Sequence, residues 1–264
     1  MDLKLAGKTA LVSGSTGGIG LAIAQALAQE GASVVINGRS EERVKQAIDT
    51  IKASMPDASL SSAAADLSTR EGSEQLFQQV PTVDILVNNL GIFEPKAFGD
   101  ITDEDWLRFF EANVLSGVRL SRQYLPQMLE RDWGRIIFIS SESAVQIPVE
   151  MIHYGMTKTA QLAIARGLAE MTVGTGVTVN SVLPGPPRSE GVGDFVTKMA
   201  TDRGVTVDQV EKEFFESVRP SSLIQRFATV EEVAALVTYV SSPVSSATNG
   251  AALRVDGGVV RSIL

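Results

Sequence analysis

Short apolar runs alternate along the chain with segments whose apolar positions recur every three to four residues. The apolar runs are typical of buried strands, and the periodic segments are typical of helices packed by one face. The runs predict strands at 9–13, 32–36, 59–65, 83–88, 134–141, 176–182 and 252–255. The periodic segments predict helices at 21–30, 41–54, 69–80, 102–131, 151–171 and 229–240.

This alternation predicts the fold class. Strands that are apolar on both faces, separated by helices, indicate a parallel sheet covered on both sides. We therefore predict an α/β fold, a Rossmann-like doubly wound parallel sheet of about seven strands with helices on both faces. No repeat or change of composition divides the chain, so we predict one domain over residues 1–264. Residues 186–226, with two polar helical patterns, are predicted to be a substrate lid; a passive surface insertion is the alternative.

Composition narrows the classes of function. Lysine and arginine number 23 against 31 acidic residues, a net charge of −8, which argues against a nucleic-acid or anionic-membrane partner. The chain has no cysteine and one histidine, which excludes cysteine-ligated zinc and histidine clusters, so we expect no metal. There is no signal-peptide pattern at the N-terminus and no long apolar stretch, so we expect a cytoplasmic protein that does not enter a membrane.

A glycine-rich turn lies between the first predicted strand and the helix that follows it. It reads Gly14-Ser15-Thr16-Gly17-Gly18-Ile19-Gly20, and its spacing is G-x-x-x-G-x-G rather than the common G-x-G-x-x-G. Glycine allows close approach of a phosphate to backbone N–H groups and to the positive end of a helix. The position between strand and helix predicts a dinucleotide site, and the missing Gly-Lys-Ser/Thr excludes a P-loop.

With these glycines in place, the chain resembles the short-chain dehydrogenase/reductase family, whose first turn reads T-G-x-x-x-G-I-G. Ser13 stands where that family has threonine, and Leu90 where it has alanine. The other family motifs follow in order over nearly the whole chain: Asp66 with Leu67, Asn88-Asn89-Leu90-Gly91, Asn113, Ser141, Tyr154 with Lys158, Asn180, and Pro184-Gly185. No single motif is specific, but their order and spacing together are.

Tyr154 and Lys158 form the candidate acid/base pair. They are four residues apart, so one face of a helix carries both side chains. A free tyrosine titrates near about 10, and we expect the lysine ammonium to favour phenolate and lower the pKa of Tyr154. A neutral tyrosine would donate a proton to a carbonyl oxygen that accepts hydride, and the Ser141 hydroxyl would add a hydrogen bond.

The resemblance implies further roles for these residues. It implies that Lys158 also holds the nicotinamide ribose, that Asn113 keeps a water beside it, and that Asp66 contacts adenine. Cofactor contacts are implied for the glycine turn, Leu67, Asn89, Leu90, Gly91, Pro184 and Gly185. An ordinary surface pair is the alternative for Tyr154 and Lys158, and His153 is interpreted as structural.

The second strand indicates which nicotinamide is used. NAD enzymes usually end this strand with an acid that binds the ribose 2′-hydroxyl. Here Gly38 takes that place and Arg39 follows, whose guanidinium suits the 2′-phosphate of NADP. We predict NADP, with NAD as the alternative; a solvated loop charge is the other interpretation of Arg39.

The substrate side is predicted to be mostly apolar or small. The resemblance assigns to it Phe93, Ser143, Val145, Ile147, Gly185 and the lid, with Ser141, Ser143 and Tyr154 as substrate-binding residues. Val192, Phe195, Met199, Phe214 and Phe215 fit either the inner face of the lid or the lid's own core. A neutral carbonyl is expected, although Arg188 and Arg226 leave an anionic tail open. Ser189 stands at a threonine position of the family that can contact the cofactor.

These features together predict an NAD(P)-dependent oxidoreductase that transfers hydride between its cofactor and a carbonyl or alcohol, most simply a ketone reductase. A 3-oxoacyl-[acyl-carrier-protein] reductase is an alternative, although its acidic partner suits this acidic chain poorly. A non-catalytic NADP-binding regulator is another, although both Tyr154 and Lys158 are present. The resemblance implies a homo-oligomer, a tetramer or dimer, that uses the helices at 103–131 and 151–171 and the C-terminal tail.

Overall fold

One parallel sheet organises the molecule. The computed structural model describes residues 2–263, apart from the side chains at positions 190, 191, 194 and 195. Within these residues the sheet has seven strands in the order β3-β2-β1-β4-β5-β6-β7. The strands are β1 (Thr9–Val12), β2 (Ser33–Gly38), β3 (Leu60–Ala64), β4 (Ile85–Asn88), β5 (Gly134–Ile139), β6 (Val177–Pro184) and β7 (Ala252–Val255). This is the predicted doubly wound sheet.

Helices cover both faces of the sheet. They are α1 (Gly18–Gln29), α2 (Glu41–Ser54), α3 (Arg70–Gln79), α4 (Asp103–Phe110), α5 (Ser116–Glu130), α6 (Ile152–Glu170), α7 (Glu190–Arg203), α8 (Val207–Ser217) and α9 (Val230–Val240). In the described part of the chain, none of them combines the length and apolar character that a membrane span requires.

Alternate side chains of each central strand enter opposite apolar layers. Ala10 and Val12 of β1 belong to the layer under α1, α2 and α9, whereas Leu11 belongs to the layer under α3, α5 and α6. The two layers explain why the central strands carry apolar residues on both faces rather than on one, because both faces are covered. Polar loop residues can therefore gather only at the ends of the strands.

The strand order creates a crevice at one such end. The chain runs from β1 outward through β2 and β3, then returns to place β4 on the other side of β1. The loops that leave β1 and β4 consequently diverge at the carboxyl edge. Ligands of open α/β sheets bind at this switch point.

The predicted long helix at 102–131 is interrupted. The helix begins at the predicted capping box of Thr102 and Asp105, but residues Glu111–Leu115 form a wide π-helical turn between α4 and α5. The predicted helical stretch is therefore present over nearly its full length, but it is not a single α-helix. A π turn accommodates one extra residue without changing the apolar period on either side, so the sequence pattern did not show it. The turn carries Asn113, whose side chain is fully buried.

Residues 186–226, which the sequence predicts to be a lid, contribute most of a small separate core. Val196, Ala200, Val210, Phe215 and Phe227 pack together, and Val192, Met199 and Phe214 lie against them. These side chains therefore form the core of the α7–α8 pair, which was one of the two predicted alternatives, rather than a surface reserved for substrate. The side chain of Phe195, predicted with them, lies outside the described residues.

His153 fixes the contact between α4 and α6. Its ring is fully buried, with its centroid 4.1 Å from that of Phe109 and 6.0 Å from that of Trp106. Neither ring nitrogen has a hydrogen-bond partner among the described residues. Burial lowers the pKa of His153, Arg108 and Lys96 act in the same direction, and Asp105 and Glu94 oppose them.

The burial of His153 predicts a pH-dependent stability. Its folded pKa lies below the unfolded value of about 6.5, so below that pH the unfolded chain takes up a proton that the folded chain resists. Stability should therefore fall as the pH drops below about 6.5, and less steeply in His153→Leu. Urea unfolding of both proteins at several pH values between 7.5 and 5 measures this difference.

The chain has a single histidine, so the difference between the two pH profiles isolates this side chain. The carboxylates titrate alike in both proteins and cancel. If stability falls equally with pH in the wild type and in His153→Leu, His153 is not the cause of the pH dependence.

Candidate active site

The glycine turn leaves the start of α1 open to an anion. Gly14 and Gly18 have φ values of +62° and +54°, a region in which side chains are strained. Gly17 precedes the helix in extended backbone, and within this segment no side chain caps the helix and no acid lies in its first turn. A Cβ on Gly20 would lie 2.4 Å from the Gly14 carbonyl oxygen, so glycine is required there too. The free N–H groups of the first turn suit a phosphate.

The ends of β1 and β4 are tied by side-chain hydrogen bonds. The Ser13 hydroxyl accepts from the N–H groups of Asn89 and Leu90, at 2.9 and 3.0 Å. The Asn89 amide donates to the carbonyls of Ser13 and Gly14, at 2.9 and 3.0 Å. Serine therefore serves at the threonine position of the family, and Leu90 fits beside Gly14. These contacts fix the crevice and leave Gly91 exposed at its edge.

Asn37 connects β2 to the same turn, a role that the sequence did not indicate. Its side-chain oxygen accepts from the Gly14 N–H at 3.0 Å, and its amide donates to the carbonyls of Ala63 and Ala65. Its backbone N–H donates to the Ser15 hydroxyl at 2.9 Å. An asparagine inside an apolar strand, one residue before the cofactor-discriminating position, is the signal that could have found it.

β2 ends in a glycine, Gly38, and the Thr16 side chain lies against it. A Cβ on Gly38 would lie 2.4 Å from Thr16 Cγ2, so an acidic side chain cannot occupy this position as the structure stands. Arg39 follows and is exposed, and no hydrogen bond or ion pair of its guanidinium occurs in the described residues.

The remaining predicted cofactor residues border the same edge. Asp66 accepts through Oδ1 from the N–H and hydroxyl of Ser68, at 3.1 and 2.7 Å, and Leu67 beside it is buried. Pro184 ends β6, and Gly185 follows where a Cβ would lie 2.6 Å from the Asp256 carbonyl oxygen.

Ser189 lies across from the glycine turn. A Cβ on Gly18 would be 3.6 Å from Ser189 Cβ, so the base of the lid reaches the start of α1. The predicted cofactor residues are therefore brought together from β1, β2, β3, β4, β6 and the lid.

Ser141, Tyr154 and Lys158 meet at the end of β5. Ser141 lies two residues beyond the strand, and its side chain is near enough to Tyr154 to act on the pKa of that hydroxyl. Lys158 Nζ lies 5.6 Å from the centroid of the Tyr154 ring and donates to the Ile139 carbonyl at 2.9 Å. A Cβ on Gly91 would lie 3.3 Å from the same ammonium. The three candidate catalytic residues thus face the edge of the crevice.

Burial dominates the titration of this pair. Burial raises the pKa of Tyr154 well above its usual value. The Ser141 side chain and Arg219 lower this pKa, whereas Glu142 raises it further. Burial also lowers the pKa of Lys158 to about 8. The expectation of a lowered Tyr154 pKa is therefore wrong for the protein chain itself, because burial destabilises the phenolate more than any neighbouring group stabilises it.

Asn113 anchors the π turn between β4 and α6. Its side chain accepts from the Ile92 N–H at 2.7 Å and donates to the Ile92 carbonyl and the Thr157 hydroxyl, both at 3.0 Å. Its carbonyl accepts from the Gln161 amide at 2.5 Å, and Lys158 donates to the Gln161 side-chain oxygen at 3.4 Å. Gln161, which the sequence reasoning missed, therefore bridges Asn113 and Lys158.

Glu142 and Arg219 form a second feature that the sequence did not indicate. The Glu142 carboxylate is 4% exposed and accepts from the hydroxyl of Ser141 at 2.5 Å. It also accepts from the N–H of Ser143 at 2.9 Å and its hydroxyl at 3.1 Å. Arg219, beyond α8, donates through Nε to its other oxygen at 3.0 Å. A buried ion pair therefore lies directly beside Ser141.

Some of the predicted substrate-facing residues are exposed, and the others already bind protein groups. Phe93, Val145 and Ile147 are exposed apolar side chains, and Phe93 lies with its ring centroid 6.5 Å from that of Tyr154. Ser143 is buried and donates hydrogen bonds to Glu142. Arg188 pairs with Glu211, and Arg226 pairs with Glu232 at 2.7 Å, so neither has a free charge for a substrate anion.

These residues fit a nicotinamide dinucleotide. The uncapped start of α1 suits the pyrophosphate, and the open edge at Gly91, which a Cβ would narrow against Lys158, leaves room for the nicotinamide end. In the described residues, no group of three or more metal-ligating side chains occurs.

The comparisons with known proteins agree with this geometry. The family model for short chain dehydrogenases matches residues 8–200, which is more than half of the chain. The chain therefore belongs to the short-chain dehydrogenase family. It is an oxidoreductase that interconverts CH–OH groups and carbonyls with a nicotinamide cofactor.

Relatives and solved structures align over almost the full length. An uncharacterized oxidoreductase of Bacillus subtilis, YvaG, is 56% identical over 100% of both chains. The D-beta-hydroxybutyrate dehydrogenase of Cupriavidus necator is 34% identical, over 97% of this chain and 99% of that one. The L-sorbose reductase of Gluconobacter frateurii, crystallised with NADPH and L-sorbose, is 31% identical with a TM-score of 0.92 over 100% of both chains.

The contact between Gly38 and Thr16 predicts a paired effect on cofactor affinity. Gly38→Ala should push Thr16 out of the glycine turn and weaken NADPH binding by about tenfold, which corresponds to about 1.4 kcal/mol. Adding Thr16→Ser removes the Cγ2 methyl and should restore most of the affinity. Isothermal titration of NADPH into the three proteins measures the effect.

Thr16→Ser alone is the matched control and should bind like the wild type. The interpretation fails if Gly38→Ala binds NADPH normally, or if the double variant binds no better than Gly38→Ala.

Proposed function

We propose that the chain is an NADP-dependent reductase of neutral ketones. The observation that carries the proposal is the meeting of Ser141, Tyr154 and Lys158 beside a phosphate-binding turn at the carboxyl edge of the sheet. Residues 1–264 would act as one catalytic domain, with the segment 186–226 as its lid.

Tyr154 is the proposed proton donor. Its raised pKa keeps the hydroxyl protonated at neutral pH, which is the state that carbonyl reduction requires. It would hand its proton to the carbonyl oxygen as negative charge develops there, with Ser141 as the second group at that oxygen. When bound, the nicotinamide cofactor supplies the hydride.

Lys158 and Asn113 are proposed to hold the nicotinamide end of the cofactor in place. Lys158 lies at the edge of the cradle, near Gly91, where its donors would reach a ribose hydroxyl. Its positive charge would favour loss of the Tyr154 proton, although burial lowers the pKa of Lys158 itself to about 8. Asn113 fixes the segment at Ile92 that borders this edge.

Two features favour NADP over NAD. The position of the ribose-binding acid is Gly38, where Thr16 leaves no room for a side chain. Arg39 is exposed and uncommitted in the described structure, so it can meet a 2′-phosphate. The sorbose reductase and an actinorhodin polyketide ketoreductase were crystallised with NADPH.

The charges around the mouth favour a neutral substrate. Arg188, Arg219 and Arg226 are each paired with glutamate, so no carboxylate-binding arginine is left among them. The exposed Phe93, Val145 and Ile147 offer apolar contact instead. This arrangement therefore suits a neutral ketone such as L-sorbose better than an anion such as hydroxybutyrate.

The same activity assay tests the two alternative functions. A 3-oxoacyl-[acyl-carrier-protein] reductase of Aquifex aeolicus is 32% identical over 98% of this chain, so thioesters belong in a substrate survey. A regulator without activity would bind the cofactor and turn over nothing.

Tyr154→Phe should abolish turnover without loss of the cofactor. The variant keeps the ring and removes the proton donor, so we expect the rate of NADPH oxidation to fall by at least about a hundredfold, the lower range of acid–base effects. The assay uses matched neutral and anionic ketones: L-sorbose with 5-ketogluconate, and ethyl acetoacetate with acetoacetate, together with a 3-oxoacyl thioester. Thermal shift with NADPH checks that the variant still binds cofactor.

Faster turnover of the neutral member of each pair supports the proposal. Preference for the anions, or for the thioester, would replace it, and cofactor binding without any turnover would favour the regulator.

Arg39→Asp should reverse the cofactor preference. Loss of a charge-assisted contact to phosphate corresponds to about ten- to a hundredfold in affinity, so the ratio of NADPH to NADH affinity should fall by that factor. Lys52→Asp, the same charge change in the last turn of α2, is the control and should leave the ratio unchanged. An unchanged ratio in Arg39→Asp would rule out this role for the guanidinium.

A further inference from the structure

One face of α6 carries a stripe of polar residues that leads away from the candidate catalytic pair. Tyr154, Thr157, Lys158 and Gln161 follow one another at helical spacing, and the last three are buried. The stripe faces the π turn, because the Asn113 amide donates to the Thr157 hydroxyl at 3.0 Å. Gln161 is 1% exposed, although no step of carbonyl reduction needs an amide there. A buried polar side chain is costly unless its hydrogen bonds are made, so its partners indicate its role.

The partners of Gln161 require an amide at this position. Its Nε2 donates to the backbone carbonyl of Asn113 at 2.5 Å, and its Oε1 accepts from Lys158 Nζ at 3.4 Å. A carbonyl only accepts and an ammonium only donates, so the amide has a single orientation. A carboxylate would place an acceptor against the Asn113 carbonyl, and an apolar side chain would bind neither partner. Gln161 therefore joins the π turn to the ammonium of Lys158.

The donors of Lys158 are divided between the protein and the crevice. An ammonium has three N–H groups. One donates to the Ile139 carbonyl at 2.9 Å and one to Gln161, and the described part of the chain offers no further acceptor. The ammonium lies at the edge of the crevice, where a Cβ on Gly91 would be 3.3 Å from Nζ. Its third N–H is therefore left for a ligand.

Two acceptors on different elements fix where this ammonium lies. Ile139 ends β5, and Gln161 lies on α6. The lysine side chain is a flexible stem, so a single acceptor would let Nζ swing about it. Burial also lowers the pKa of Lys158 to about 8, which shows that the ammonium is held against a cost of desolvation. With both acceptors in place, the remaining N–H has a fixed direction.

We propose that Gln161 is a positioning residue that holds Lys158 so that its third N–H meets the nicotinamide ribose of the cofactor. The inference rests on the proposed role of Lys158 at that ribose. It also gives the π turn a function, since the Asn113 carbonyl is the anchor from which Gln161 reaches the ammonium.

Gln161→Met should weaken binding of the whole cofactor but not of its adenosine end. Methionine has nearly the length of glutamine and removes both polar contacts. We expect the affinity for NADPH to fall by about two- to tenfold, the range of one typical hydrogen bond. The affinity for adenosine 2′,5′-bisphosphate, which lacks the nicotinamide ribose, should be unchanged. Isothermal titration of both ligands measures this difference; if the wild type prefers NADH, the ligands are NADH and ADP.

Lys158→Met separates this inference from the proposed function. In that background Gln161→Met should cause no further loss of NADPH affinity, because the ammonium that it positions is gone. If Lys158→Met binds NADPH like the wild type, the proposed role of Lys158 fails and the inference fails with it. If Lys158→Met loses affinity but Gln161→Met does not, or if the two losses add, only the inference fails.

Gln127→Met is the matched control. Gln127 lies on α5 and donates to the Pro81 carbonyl at 3.1 Å, at the amino edge of the sheet. This variant also loses a glutamine that joins two elements, but it should bind both ligands like the wild type.

Gln161→Asn is a second variant, which keeps the amide but is one methylene too short to join both partners. If Gln161→Met does not bind the adenosine fragment, Gln161→Asn must still show the selective loss of NADPH affinity. In turnover the loss should appear in the KM for NADPH rather than in kcat, because Tyr154 and Ser141 are unchanged. An equal loss for both ligands in both variants, or a loss confined to kcat, would overturn the proposal.

Discussion

Burial of the sheet on both faces is the constraint on which the site depends. The apolar side chains of β1 and β4 enter one apolar layer or the other, so the polar groups of this part of the sheet gather where the two strands end. At the carboxyl edge the backbone diverges and loses its ladder partners, and Ser13 and Asn89 supply hydrogen bonds in their place. The crevice is thus held open by the same side chains that satisfy its backbone.

Burial also sets the charge state of the candidate catalytic pair. It keeps Tyr154 protonated and brings the pKa of Lys158 down to about 8, so the protein holds both groups closer to neutral than water would. In a site of low dielectric, charge that develops during reaction interacts strongly with its neighbours. The few charged groups nearby, Glu142 and Arg219, consequently matter more than their number suggests.

The sequence predicted what depends on period and spacing. The alternation of apolar runs with helices predicted the sheet, and the positions of Gly14, Tyr154 and Lys158 predicted which strand ends would meet. It missed the π turn at Asn113, because one additional residue leaves the apolar period intact on either side. Asn37, Glu142 and Gln161 were missed because their partners come from distant segments, and nothing in a local pattern pairs Glu142 with Arg219.

In the segment 186–226, the apolar side chains and the charged side chains make different contacts. Phe214 and Phe215 pack with Phe227 in the small core of the segment 186–226. These apolar side chains therefore do not determine the contact between this segment and the loop that carries Ser141. Arg188 pairs within the lid, and Arg219 pairs across to the loop of Ser141. An ion pair that is shielded from water is sensitive to small changes in geometry. Arg219 therefore joins the segment 186–226 to the loop that carries Ser141.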